Sequence, residues 1–206
     1  MVEKGGVHVK REEKKALTRA KVVAAAREII LNEGLDQLSI RKVAKQAQVS
    51  PVTMYKYFRD KDELVAEVIT ESIRERADKA LALASDPQLT FVEKLQAFNR
   101  QNQRWREELL AAHQQPEAGL TQLWQAAERL PRVQEEADRL ANQFWQRMIE
   151  NGRAEGTITV SASDLAIRYY ADALVHFLGN PATKMDPATE ADFTDLLLRG
   201  LGAKEG

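Results

Sequence analysis

The chain has 206 residues, 44% of them hydrophobic, with 30 Lys and Arg against 31 Asp and Glu and no cysteine. That balance suits one globular domain or two small ones and excludes wholesale disorder, a disulfide scaffold, thiol catalysis and a cysteine-held zinc. No apolar run approaches the roughly 18 residues that cross a bilayer and no apolar leader opens the chain, so no membrane partner and a cytoplasmic location are expected.

Residues 1–17 read as a charged, mobile arm with Lys10, Arg11, Lys14 and Lys15, able to turn helical near its end. From Thr18, placed to cap a first helix, Val22, Ala26, Ile29 and Ile30 recur at helical spacing up to a terminating Gly34. Ser39 caps a second helix whose stripe is Ile40, Val43, Ala44 and Ala47. A tight turn over 47–49 follows. Ser50 caps a third, with Pro51 at its first position, where a missing N–H costs nothing; this helix ends near Tyr57 and Phe58. Asp60 and Glu63 open a fourth in capping-box style. It is expected over 61–85, about 37 Å at 1.5 Å per residue, and Asp86-Pro87 stops it.

Further helices are expected over 90–112, 117–130, 131–151, 162–178 and 187–201. The β-branched stretch 156–160 is too short to make a sheet, so the fold class is all-α.

Charge is uneven along the chain. Residues 1–60 hold 13 Lys and Arg and 7 Asp and Glu, a surplus of six; the remainder carries a deficit of seven. A basic front implies a polyanion at that end or a solvated cationic face. The second and third short helices, with their tight turn, are a helix-turn-helix.

Residues 38–58, followed by Asp60-Lys61-Asp62-Glu63-Leu64, resemble the DNA-binding domain of the tetracycline-repressor-like (TetR) regulators in the spacing of Ala44, Val49, Ser50, Tyr55, Phe58 and Lys61. The likeness covers about a quarter of the chain, residues 18–66. It departs at Gln48, where many relatives have a glycine for a positive φ, and at Pro51-Val52, so no known operator transfers.

The major groove admits a helix whose first residues reach base edges. Pro51, Val52, Thr53, Lys56 and Tyr57 stand at that end. Val52 and the Thr53 methyl suit thymine methyls, the Thr53 and Tyr57 hydroxyls suit phosphates, and Lys56 is a cation at the groove edge. Arg41 can fork onto guanine or clamp a phosphate. Thr18, Ser39 and Lys61 are placed at helix N-termini, which favour phosphate. The resemblance adds backbone contacts for Tyr55 and Lys61. Met54 and Phe58 read as core, Tyr55 as partly so.

This implies a mobile arm (1–17), a helix-turn-helix domain (18–64) and a helical ligand-binding and dimerisation domain (65–206). A palindromic operator on double-stranded DNA requires a homodimer. The resemblance puts the dimer's bundle on the last two helices, where Tyr170, Leu174, Phe177, Phe193, Leu197 and Leu201 are the candidates. An effector pocket for an unidentified small molecule is expected around Trp105, Trp124, Trp145 and Tyr169. His8, His113 and His176 have no metal-ligand spacing, and there is no phosphate loop or nucleophile elbow, so neither enzyme activity nor a cofactor or metal is expected. The alternative is a module that keeps the fold and binds ligand or protein after losing its operator.

Overall fold

In the computed structural model, residues 5–179 and 187–202 are described, with the backbone alone for 5–11, 172, 174–179, 187 and 190. They form α1 (Gly5–Glu33), a 3-10 turn (Leu35–Gln37), α2 (Ile40–Gln46), α3 (Pro51–Met54), α4 (Lys61–Ala84), α5 (Phe91–Ala112), α6 (Pro116–Ala127), α7 (Pro131–Ala154), α8 (Asp164–Gly179) and α9 (Pro187–Gly200), with no strand among them. The fold is all-α.

Two compact units divide the chain. The first takes residues up to Glu71 together with Leu110–Leu130, and the second takes Ser72–Leu109 with the residues from Pro131 onward. Both α4 and α5 therefore contribute to each unit.

The first unit is built on the apolar stripe of α1. Val22, Ala26, Ile29 and Ile30 are all buried, with Val43, Met54, Phe58, Leu64 and Val68 around them. Each of these side chains larger than alanine is worth about 1.5–3 kcal/mol when taken out of water. Gly34, at φ 94°, ends α1. The helix begins at Gly5 rather than at Thr18. After Gly6 no residue breaks it, and Glu12 pairs with Lys15 at 2.7 Å one turn on. Thr18 is therefore inside α1, where its hydroxyl donates to the Lys14 carbonyl at 2.8 Å, and caps nothing.

Helix α6 lies against α1 at close range. A Cβ on Gly119 would stand 2.6 Å from the Ile30 carbonyl oxygen, so only glycine allows this approach. The Gln122 side-chain oxygen accepts from the Leu35 N–H at 2.6 Å, and the Gln115 N–H donates to the Leu31 carbonyl at 3.1 Å.

The second unit has its own core, including Phe91, Leu95, Phe144, Trp145, Met148, Ile167 and Leu201. Phe98 stacks on Phe144 at 4.8 Å, and Trp145 meets Phe144 edge-on at 5.0 Å. The β-branched stretch after Gly156 is a loop that plugs this core with Ile158. Its Thr159 N–H donates to the Leu201 carbonyl at 3.1 Å.

Candidate nucleic-acid interface

Two serines set the helix-turn-helix. The Ser39 hydroxyl accepts from the Lys42 N–H at 3.2 Å and opens α2. The Ser50 hydroxyl accepts from the Thr53 N–H at 3.0 Å and opens α3 behind Pro51. Between them the Val49 N–H donates to the Ala44 carbonyl at 2.9 Å, and Gln48 takes φ 57°. The left-handed residue is where the resemblance places a glycine.

Helix α3 is one turn long and stops at Met54 instead of running to Tyr57. The chain continues to Phe58 through tighter bonds, with the Lys56 N–H on the Thr53 carbonyl at 3.1 Å and the Tyr57 N–H on that of Met54 at 2.9 Å. Met54 and Phe58 are buried and anchor the segment. The opposite side faces solvent: Val52 is 70% and Tyr55 60% exposed, with Pro51 and Lys56 exposed beside them. Tyr55 is thus on the surface. Thr53 and Tyr57 are half-buried, and the Thr53 hydroxyl lies 2.8 Å from that of Ser50.

The cations of this surface fall into two groups. Lys42 pairs with Glu33, and Arg59 with Glu63 at 3.2 Å. The Lys61 ammonium donates to the Leu35 carbonyl at 2.9 Å. Arg41, Lys45 and Lys56 form no ion pair among the described residues and stand exposed. Below them Arg19 pairs with Glu67 across α1 and α4 and lies over the Phe58 ring at 5.4 Å. The Glu67 hydrogen bond and charge push the Arg19 guanidinium above its ordinary range.

Residues 22–68 match the family model of bacterial regulatory proteins, tetR family. That match takes in the whole helix-turn-helix, 47 of the 206 residues. An uncharacterized HTH-type transcriptional regulator of Haemophilus influenzae is 26% identical over 178 residues, 86% of this chain and 85% of that one. One of Mycobacterium tuberculosis is 37% identical over 67 residues, and the match spans 32% of each chain. The chain thus matches about a third of the length of its mycobacterial relatives. Among solved structures, a TetR-family regulator of Mesorhizobium loti shares the fold at a TM-score of 0.65 and 17% identity, over 91% of this chain and 96% of that one.

The other candidate residues are dispersed. Trp105, on α5, lines a cleft of about 390 Å³ in the second unit. Trp145 is 3% exposed in the core of that unit, Tyr169 is 61% exposed on α8, and Trp124 belongs to α6 in the first unit. Tyr170 is 39% exposed and its hydroxyl donates to the Leu196 carbonyl at 3.1 Å. Leu197 and Leu201 are buried within the protomer, and Phe193 is half-buried. The side chains of Leu174 and Phe177, and those of Lys10 and Arg11 in the arm, lie outside the described residues.

Sequence reasoning missed the polar anchors Gln122 and Gln115, because no local pattern announces a bond to a residue some 85 positions away. It also missed Arg76, Lys79, Arg100 and Arg104, which line the cleft beside Trp105. Their i, i+3 and i, i+4 spacings were the available signal.

No described helix is long and apolar enough to cross a membrane. No group of three His, Cys, Asp or Glu among the described residues is arranged to hold a metal ion.

Proposed function

We propose that the protein is a DNA-binding transcriptional regulator, acting in the cytoplasm as a homodimeric repressor on a palindromic operator and answering to a small molecule. The observation that carries this reading is the surface of the helix-turn-helix. A capped, glutamine-turned motif presents Val52, Tyr55 and the exposed cations Arg41, Lys45 and Lys56 outward, within the segment that matches the family. Phosphates would be met by Arg41, Lys45, Lys56 and Tyr55, and base edges by Pro51, Val52, Thr53 or Arg41.

Pairing of two copies would set the recognition helices about 34–36 Å apart, one turn of DNA. Apolar side chains left on the last two helices support that pairing. Leu165 is 56%, Tyr169 61% and Leu196 57% exposed. An effector bound in the second unit would act through α4, which belongs to both units. It must bind the DNA-incompetent state more tightly by the same factor by which it weakens operator binding.

The test is selection of genomic DNA with the purified full chain at two salt concentrations. The expected result is a palindrome with half-sites one turn apart, lost at the higher salt. No enrichment at either salt overturns the reading and favours a module that has lost its operator.

A further inference from the structure

The second unit contains a concentration of positive charge that operator binding does not use. Arg76 and Lys79 from α4 and Arg100 and Arg104 from α5 line one cleft of about 390 Å³, against a single carboxylate, Glu108. A volume of this size suits a small molecule.

Several other cations of the unit are neutralised. Arg74 and Arg139 share Glu136 at 2.7 Å each, Arg153 meets Asp164 at 2.9 Å, and Arg199 meets Asp195 at 2.7 Å. Residues 61–206 as a whole are acidic by seven charges. Yet Lys79, Arg100 and Arg104 form no ion pair among the described residues. Among the described residues Arg76 has only the Asn102 side-chain oxygen at 3.2 Å and the face of Trp105 at 4.4 Å. Like charges gathered in a cleft repel one another, and a bound anion removes that repulsion.

The rest of the lining is not merely charged. Trp105, Leu83 and Ala97 offer flat and apolar surface, and Gln101 and Asn102 offer amides. We propose that this cleft binds a small organic anion with a flat apolar portion, its acid group held by Arg100 and Arg104 and its flat part against Trp105, and that such an anion is the effector. The effector role rests on the regulator reading above; the binding does not.

The experiment titrates the full chain, without DNA, with 1-anilinonaphthalene-8-sulfonate and with the neutral N-phenyl-1-naphthylamine, which has the same rings and no acid group. The expected result is one sulfonate site per chain, at least about tenfold tighter than the neutral probe. Arg100→Gln with Arg104→Gln should weaken the sulfonate about tenfold and leave the neutral probe unchanged, whereas Glu108→Gln should tighten the sulfonate. All three side chains are exposed. Unchanged far-ultraviolet circular dichroism shows that the variants fold. Equal affinities for the two probes, or an unchanged sulfonate affinity in the double variant, overturn the proposal. The titration is then repeated against operator-bound protein. Release of DNA in the wild type and not in the double variant supports the effector role. Sulfonate binding without release overturns that role alone, and failure to recover any operator counts against the regulator reading, not against the cleft.

Discussion

The ammonium of Lys61 and the carbonyl oxygen of Leu35 are 2.9 Å apart, joining the first turn of α4 to the 3-10 turn that follows α1. The residue that resemblance assigns to a DNA phosphate is already spent on the protein's own backbone. Lys61→Met should therefore lower stability by about 1.5–3 kcal/mol, the range for a hydrogen bond to a charged group. Urea unfolding reads this directly. If Lys61 served phosphate alone, the urea midpoint would stay put and the salt slope of operator binding would fall by about one.

Gln48 supplies the second prediction. At φ 57° its backbone is in the left-handed region, where a side chain costs about 1–2 kcal/mol. Glycine removes that cost and adds unfolded-state entropy of about 0.5–1 kcal/mol. Gln48→Gly should thus stabilise the protein by about 0.5–1 kcal/mol, seen as a raised Tm with operator affinity retained. A lowered Tm would mean that the turn carries no strain.

Gly119 should tolerate no side chain. The Cβ of Gly119→Ala would meet the Ile30 carbonyl oxygen at 2.6 Å, and backbone cannot swing aside as a flexible side chain would. The expected loss is about 1–3 kcal/mol, as for an overpacked core. Equal thermal midpoints for the two proteins would show that α6 can back away from α1 freely.

Glu136 makes one contribution depend on pH. Hydrogen bonds from Arg139 and Arg74 push its carboxyl down from 4.5 to about 2. A carboxyl depressed in the folded state stabilises it at pH above its ordinary value, and that stabilisation fades as pH falls toward 2. The gap in urea midpoint between the wild type and Glu136→Gln should be full at pH 6, narrow below about 4.5 and close near 2. A gap of constant size would assign the effect to packing.

Much of this molecule was legible in the sequence for a local reason. The caps Ser39 and Ser50, the turn at Gln48 and the stripes of α1 and α2 are short-range patterns, and each formed where the pattern said. Helix α1 was cut short on paper because Thr18 has the chemistry of a cap, and a cap matters only where the helix has no earlier turn to continue. The fit of Gly119 against Ile30 could not be read, since small size alone does not say what comes near. The same holds for the tryptophans. Trp145 and Trp105 look alike along the chain, and only packing sends one into the core and the other to the wall of a charged cleft.

The assignment of α6 to the first unit has a consequence for any attempt to cut the protein up. The half that carries the helix-turn-helix is discontinuous in sequence: the chain leaves it after Glu71, returns at Leu110 and leaves again after Leu130. A fragment ending at residue 71 would strip Gly119 and Gln122 from Ile30 and Leu35 and present their backbone groups to water. The helix-turn-helix unit is therefore not a detachable cassette. Grafting it onto another protein would require residues 110–130 to travel with it, with joints after Glu71, before Leu110 and after Leu130 instead of after Glu71 alone.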